Sequence, residues 1–409
     1  MRRETLAAWL AEQGLRNLPL EELVDGFARR LNEAGVPVAR MFVGMNTLHP
    51  MVRAHSLVWD RATGPATRFE FQHDEVDTPI ILASPFASML REGRHEMRAD
   101  LTQRRDGEWP VFEELRGLGM TEWLGLVFPF GELAPQLPGT AMAESARELW
   151  FVASFTTDKP GGYEAAEMAV LRELLPLFAL AVKATTLRAV YHGLLSSYLG
   201  NDPAQRVLSG AVQRGEVQDV EAVLFYADLR DFTALADTLP GRELIALLDE
   251  CFDCMVRPVN RLGGEILKFL GDGLLAIFRI EQRRRAEICA AALSAASEAL
   301  DLMEVLAAAR GNQGKKTPGL DIALHVGAVQ YGNVGTDTRL DFTVIGPSVN
   351  EAARIELLCK ELGHPLLVSQ AFAEAATASR AHLASAGRHR LRGVREEAEL
   401  FTLAPAPPS

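Results

Sequence analysis

The sequence predicts an α+β protein of at least two domains, and three observations lead to this prediction. The chain has 409 residues, whereas single hydrophobic cores stop growing at roughly 250–300 residues. The N-terminal half mixes helical periods with short apolar runs that are typical of strands. From Val220 the pattern changes to a regular alternation of apolar strands and amphipathic helices, which indicates a second sheet covered by helices.

The composition is that of a globular protein and argues against two classes of partner. Hydrophobic residues make up 48% of the chain and charged residues 23%, which suffices for sizeable cores. The formal net charge is -12, so duplex nucleic acid and anionic membrane surfaces would be repelled. We therefore expect neither nucleic acid nor membrane as a partner. The four cysteines form no paired framework, which suits a reducing compartment.

No segment has the pattern of a targeting or membrane-spanning sequence. The N-terminus starts basic and then mixes acids into an amphipathic pattern, without the apolar core of a signal peptide. The most apolar helical stretch, from Ala169 to Leu187, contains Arg172, Glu173 and Lys183. It therefore lacks the run of about 18 apolar residues that spans a bilayer. We expect a cytoplasmic protein.

The first predicted domain covers residues 1–186. A helical period from Pro19 to Gly35 is followed by several short strand-like runs. Two later runs, WLGLVFPFG and LWFVASFTT, have the β-rich make-up of central strands. A strand pair followed by a closing amphipathic helix resembles the end of a GAF-like or PAS-like sensory domain. This resemblance implies a regulatory domain that could bind a small-molecule ligand.

The closing helix is predicted to run from about Tyr163 to beyond Val190. Pro176 is expected to kink this helix or split it in two. An apolar stripe at helical spacing should face the core; it comprises Leu171, Leu174, Leu175, Phe178, Ala181, Val182 and Leu187. No sustained heptad repeat is apparent.

A helical linker is predicted over residues 187–217, because several glycines and Pro203 interrupt the helical pattern there. The second domain is predicted over residues 218–403 and a disordered tail over 404–409. The predicted elements of the second domain are a strand at 221–229, a helix at 242–262, a hairpin at 264–278, a helix at 284–309, strands at 320–329 and 340–346, a helix at 349–362 and a strand at 365–370.

Polar side chains lie at the ends of apolar strands in this domain, where burial is costly unless they have partners. Asp228 ends the first strand, Asp272 lies in the hairpin turn, and Asn350 and Arg354 lie one turn apart on a helix. Two carboxylates on neighbouring strands repel each other unless a cation lies between them. Hard oxygen ligands select Mg²⁺ or Mn²⁺. The residues therefore predict a divalent metal site at the two aspartates.

Four linked motifs resemble the catalytic domain of the class III nucleotidyl cyclases. They are YADLRDFT, GGEILKFLGDGLLAIF, HVGAVQYGNVG and DFTVIGPSVNEAARIE, in the family's order and at its spacing. The resemblance covers residues 218–403, about half of the chain. It implies a ferredoxin-like, palm-type α+β core with a mixed sheet, and the closure of a nucleoside triphosphate to a cyclic nucleotide and pyrophosphate.

The resemblance also implies a role for each of the polar residues. Asp228 and Asp272, with the main-chain carbonyl of Leu229, would hold two metal ions that stabilise the attacking and leaving oxygens of an in-line displacement. Asn350 would orient the ribose, and Arg354 would stabilise charge on the α-phosphate. The i, i+4 spacing of Asn350 and Arg354 places them on one helix face.

Phosphate contacts are implied at both ends of the domain. Phe232 and Thr233 follow Asp228 at the start of a short helix, where N–H groups can bind phosphate oxygens. Near the C-terminus Arg392 or Arg395 replaces the family's usual lysine. The family usually has glycine where this chain has Asp231, and an acid beside a triphosphate adds repulsion. Either the side chain of Asp231 turns away or the site needs more metal, and we hypothesise that Asp231 weakens nucleotide binding.

Two positions of the resemblance concern the choice of base. Lys268 matches the adenine-reading lysine, and Thr343 falls where adenylate cyclases carry Asp or Thr. A lysine donor with a threonine hydroxyl complements the adenine N1 and 6-amino edge. The resemblance therefore favours ATP over GTP.

Function in this family requires a homodimer. The metal aspartates come from one chain, and the base-reading, ribose and arginine residues come from the other, so two sites form across one two-fold interface. We expect a cytoplasmic, homodimeric adenylate cyclase that is regulated by its N-terminal domain. Two alternatives stay open: a catalytically silent module that binds a nucleotide or a partner, and a guanylate cyclase.

Overall fold

The computed structural model describes most of the chain as two compact units, Met1–Ser197 and Tyr198–Ser409. The division falls inside the predicted linker, 187–217. None of the described helices combines the length and apolarity needed to cross a membrane. The described residues are 3–16, 18–46, 52–72, 84–104, 107–132, 148–280, 284–392 and 397–404.

The first unit contains a six-stranded antiparallel sheet in the order β3-β2-β1-β6-β5-β4. The apolar runs at 123–131 and 149–157 form its neighbouring strands β5 and β6, as their β-rich composition predicts. The strands are β1 (Arg40–Asn46), β2 (Val52–Asp60), β3 (Gly64–Gln72), β4 (Glu96–Asp100), β5 (Glu122–Glu132) and β6 (Glu148–Thr157).

Both faces of this sheet are covered, because its strands carry apolar side chains on both sides. One face packs on α2 and α5, where Phe27 and Phe178 stack with ring centroids 4.3 Å apart. The other face packs on α3 and α4 through an aromatic cluster that includes Phe112 and Trp123. The helices are α1 (Arg3–Arg16), α2 (Leu20–Glu33), α3 (Pro85–Glu92), α4 (Pro110–Gly117) and α5 (Ala165–Leu199).

Helix α5 continues beyond Val190, as predicted, and is not split at Pro176. It runs without a break over 35 residues, with Pro176 inside it. Residue 176 is exposed, so the proline ring lies on the side of the helix away from the core. Of the predicted core-facing stripe, Leu171, Phe178 and Val182 are fully buried, whereas Leu187 is only half-buried and belongs to neither core of this unit.

The second unit contains a mixed eight-stranded sheet in the order β13-β14-β12-β10-β7-β9-β8, with β11 paired to β10. Strands β10 and β12 are parallel, and the other pairs are antiparallel. The strands are β7 (Val217–Arg230), β8 (Glu265–Leu270), β9 (Gly273–Arg279), β10 (Gly319–Gly335), β11 (Leu340–Ile345), β12 (Leu366–Ser369), β13 (Leu383–Arg390) and β14 (Glu397–Leu403).

Helices cover the two faces of this sheet unequally. Helices α8, α9 and α11 supply the largest core of the unit, on one face. On the other face α10 buries Ile355 and Cys359 against β10 and β12. The helices are α6 (Asn201–Leu208), α7 (Phe232–Ala236), α8 (Gly241–Arg261), α9 (Arg285–Gly311), α10 (Pro347–Leu362) and α11 (Gln370–Ala375), followed by a 3₁₀ helix at Thr377–His382.

The predicted mixed sheet with packed helices is confirmed, and two strands at one end of the sheet, β13 and β14, are additional. Strands β13 and β14 were not predicted, because β13 is polar and has only one fully buried residue. The predicted tail lies almost wholly outside the described residues, which end at residue 404.

Candidate active site

Strand alternation at the end of β7 determines where Asp228 points. Ala227 and Leu229 belong to the core beneath α8 and α9, so Asp228 projects from the opposite face. Its partner in register on β10 is Asp321, which is buried and accepts two hydrogen bonds from Arg230, the Nε one at 2.9 Å. Arg230 therefore compensates the charge of Asp321, and none of the described hydrogen bonds or ion pairs gives Asp228 a cation.

The turn between β8 and β9 brings Asp272 to this position, as the sequence predicts. A Cβ on Gly273 would stand 2.6 Å from both the Asp228 Oδ1 and the Ala227 carbonyl oxygen, so only glycine permits this close approach. Burial first, and then the charges of Asp272 and Asp321, raise the pKa of Asp228 to about 6. The two predicted carboxylates therefore lie close enough to repel each other.

Glu356 on α10 is a further acid at this cluster and was not predicted. It is 7% exposed, and its pKa is raised to about 7 by burial and then by Asp228, Asp321 and Asp272. The sequence carried one signal for it, since Glu356 interrupts the apolar stripe through which α10 packs on the sheet. Among the described residues no three acidic, histidine or cysteine side chains are arranged to hold a metal ion.

Helix α10 directs its predicted functional residues away from this acidic cluster. Its buried face comprises Ala352, Ile355, Glu356 and Cys359. At 100° per residue, Asn350 and Arg354 lie roughly opposite that face, and Asn350 is exposed. Among the described residues no carboxylate forms an ion pair with Arg354.

In the turn after β7, the carboxylate of Asp231 has a cationic partner that we did not expect. This residue has φ 62° and is the one non-glycine residue with positive φ among those described, which explains why a glycine is favoured at this position. Its carboxylate accepts a hydrogen bond of 2.7 Å from Lys360 Nζ, and Lys360 lowers the pKa of Asp231. Phe232, which follows, is buried and Thr233 is exposed.

Lys268 has an unpredicted partner. Its ammonium donates a hydrogen bond to Asp341 and not to Thr343. Asp341 and Thr343 alternate along β11 with the buried Phe342 and Val344, so they lie on the same side of the strand. Sequence reasoning missed Asp341 although it lies two residues from Thr343, the spacing that places residues on one strand face.

The C-terminal phosphate contact has the least structural support. Arg392 is exposed and follows β13 directly after the buried Leu391. Within the described part of the chain it has no hydrogen bond or ion pair to another predicted site residue. Arg395 lies outside the described residues.

Comparisons with known proteins identify the second unit. Residues 214–405 match the family described as adenylate and guanylate cyclase catalytic domain. An adenylate cyclase of Anabaena cylindrica is 29% identical over 160 residues, which cover 39% of this chain and 31% of that protein. An uncharacterised protein of Mycobacterium tuberculosis is 31% identical over 243 residues, 58% of this chain and 41% of that protein.

Among solved structures, the adenylyl cyclase CyaB from P. aeruginosa is 27% identical, with a TM-score of 0.42, over 47% of this chain and 97% of that chain. The chain spans less than half the length of the curated relatives it matches. The family match over residues 214–405 assigns a class III cyclase catalytic domain to this part of the second unit.

Proposed function

We propose that the protein is a homodimeric adenylate cyclase that converts ATP to 3′,5′-cyclic AMP and pyrophosphate. The observation that carries the proposal is the division of the site residues on one chain. The carboxylates of Asp228 and Asp272 meet near the sheet-facing side of α10, whereas Asn350 and Arg354 lie on the opposite side of that helix. One copy therefore cannot direct Arg354 to its own carboxylates, and a second copy is required.

The carboxylates fit divalent cations. Burial, and then the charge of Asp272, raise the pKa of Asp228. A cation between the two carboxylates would relieve their repulsion, and oxygen donors suit Mg²⁺ or Mn²⁺. Asp228, Asp272 and the carbonyl of Leu229 would hold two ions in each site. When bound, such ions stabilise charge on the attacking and leaving oxygens.

Asn350 and Arg354 act on the substrate from the second chain in this proposal. Asn350 holds the ribose so that its 3′-hydroxyl faces the α-phosphorus, and Arg354 stabilises the charge that develops on the α-phosphate oxygens. Phe232 and Thr233 contribute contacts to the phosphates from the turn after β7, and Arg392 is the candidate for a further contact. Lys360 keeps the nearby carboxylate of Asp231 paired.

Lys268, Thr343 and Asp341 form the proposed adenine site. Lys268 lies on β8, whereas Asp272 lies in the turn that follows this strand. Asp341 holds the ammonium of Lys268, and the Thr343 hydroxyl lies on the same side of β11. A lysine donor to N1 and a hydroxyl acceptor for the 6-amino group select adenine; a guanylate cyclase is the second candidate.

The first unit is proposed as a regulatory domain of a cytoplasmic enzyme. Its antiparallel sheet with helices on both faces agrees with the GAF-like expectation. The proposed ligand of this unit is a small molecule.

The direct test is the formation of cyclic AMP from ATP with Mg²⁺ or Mn²⁺. We expect the full chain to form cyclic AMP faster from ATP than cyclic GMP from GTP. Asp272→Ala should abolish product formation, and Asp237→Ala, which changes an exposed aspartate, should not. No product from the parent protein with either metal would favour the catalytically silent module, and a preference for GTP would favour the guanylate cyclase.

A further inference from the structure

Helix α5 carries a second apolar stripe that the core does not use. We call it the outward stripe; three of its members, Leu180, Tyr191 and Tyr198, are 62%, 52% and 80% exposed. No member belongs to either core of the first unit. The outward stripe consists of Leu180, Ala184, Leu187, Tyr191, Leu194 and Tyr198.

The spacing of the outward stripe indicates the kind of partner that covers it. Successive members are four, three, four, three and four residues apart, which is the 3.5-residue period of a coiled coil. A straight α-helix has 3.6 residues per turn, so such a stripe stays in contact only with another helix that winds around it. The period therefore favours a helix as the partner.

The outward stripe lies opposite the buried face of the same helix. At 100° per residue, its mean direction is about 180° from that of Leu171, Leu174, Phe178 and Val182, which are fully buried. A helix that is apolar all round is normally buried all round. Leu187, which was predicted to lie on the core-facing stripe, is half-buried and lies on the outward stripe.

We propose that the outward stripe pairs in parallel with the outward stripe of a second copy of this chain. The choice of partner rests on the proposed function, because a cyclase site completed by a second chain requires a second copy. A parallel pair places both C-terminal ends of α5 at the same end, and each leads within two residues into α6 of its catalytic unit. The nearby Lys183 does not oppose pairing, because its ammonium donates a hydrogen bond of 2.9 Å to the Phe130 carbonyl of its own unit.

The first test is the self-association of the full chain, measured by sedimentation velocity over a range of concentrations. Tyr191→Glu places a charge on the outward stripe and should raise the dimer dissociation constant at least tenfold. Ala189→Glu places the same charge two residues away, at an exposed position off the stripe, and should leave the constant unchanged. Equal constants for Tyr191→Glu and the parent, or a parent that stays monomeric, would overturn the proposal.

A second test reports the orientation of the two helices. In a parallel, in-register pair the two copies of residue 191 face each other, so Tyr191→Cys should form an inter-chain disulfide under mild oxidation. Ala189→Cys should form far less, and the native cysteines are common to both variants. Equal cross-linking of the two variants would contradict the parallel pair. Neither measurement depends on catalysis, so a dimer that makes no cyclic nucleotide would refute the proposed function and leave this interface standing.

Discussion

Lys360 Nζ donates a hydrogen bond of 2.7 Å to the Asp231 carboxylate, which joins the last turn of α10 to the turn after β7. Both side chains are largely exposed, at 63% and 65%, so the pair contributes little to folding stability. Its consequence is electrostatic, because Asp231 lies three residues from the carboxylate of Asp228. The lysine removes most of the repulsion that an unpaired acid would exert on a triphosphate.

The first prediction is a double-mutant cycle on this pair. Lys360→Met should raise the Michaelis constant for ATP about three- to tenfold in the parent, because Asp231 is then uncompensated. The same substitution in an Asp231→Gly background should change the constant less than twofold. Steady-state kinetics at low and high salt provide the readout, and equal effects in both backgrounds would show that Asp231 does not influence the nucleotide.

The second prediction concerns the contact between Gly273 and Asp228. Gly273→Ala would place a Cβ 2.6 Å from the Asp228 Oδ1, so the Asp228 carboxylate or the backbone at residue 273 must shift. Displacements of about 1 Å in an active site can cost about 100-fold in rate, and we expect a loss of that order in kcat. Gly271→Asn is the control, because Gly271 has φ 73° and open space around its Cα, and asparagine tolerates that conformation. A Gly273→Ala enzyme with full activity would contradict the placement of the two aspartates.

The third prediction is a pH dependence of stability in the absence of metal. The pKa of Glu356 is raised to about 7 in the folded state, against an ordinary value near 4.3. Between these values the folded state holds more protons than the unfolded state, so stability falls as the pH rises through this window. Glu356→Gln should therefore raise the melting temperature at pH 8, by several degrees for a gain of roughly 2 kcal/mol.

At pH 5 the same substitution should have little effect, since Glu356 is then protonated in the folded protein. Thermal melts of parent and variant at both pH values, in a chelating buffer, give the comparison. An equal gain at pH 5 and pH 8 would indicate a packing effect and not a charge effect.

The fourth prediction concerns how the linker helix α6 is held. Tyr331 of β10 donates a hydrogen bond of 2.9 Å to Asp202 of α6, and the guanidinium groups of Arg206 and Arg279 lie over its ring. Tyr331→Phe should destabilise the second unit by about 1–2 kcal/mol, because it leaves charged acceptors short of a donor. Limited proteolysis should also cleave the segment around α6 faster in Tyr331→Phe than in the parent.

Tyr163→Phe is a suitable control for that experiment. The Tyr163 hydroxyl is buried and has no hydrogen-bond partner among the described residues, so its removal should be neutral or stabilising. Equal proteolysis rates for Tyr331→Phe and the parent would show that this hydroxyl does not hold α6.

The sequence was informative where a local pattern carries the chemistry. The glycines around Asp272 and the acid at the end of an apolar strand sufficed to predict two neighbouring carboxylates, and the helical spacing of Asn350 and Arg354 placed them on one face. The alternation of strands and helices likewise predicted a sheet covered by helices in the second unit, whereas its mixed topology was implied by the family resemblance.

The residues that sequence reasoning missed are partners across long separations. Asp341 and Lys268 are 73 residues apart in the sequence, and Lys360 and Asp231 are 129 residues apart. No local sequence pattern predicts either pair. Glu356 was missed because the meaning of an acid on a buried stripe depends on what the stripe packs against. The outward stripe was missed because two apolar stripes on one helix can be separated only by exposure.

The most direct test of the two-chain site mixes two inactive variants. Asp272→Ala removes a carboxylate from one half of each site, and Arg354→Ala removes the cation from the other half, so each variant alone should be inactive. If the halves come from different chains, random mixing should restore about a quarter of the parent's cyclase activity, since half of the dimers are mixed and each has one intact site. A mixture that stays inactive, although sedimentation shows that the two variants form mixed dimers, would contradict the account.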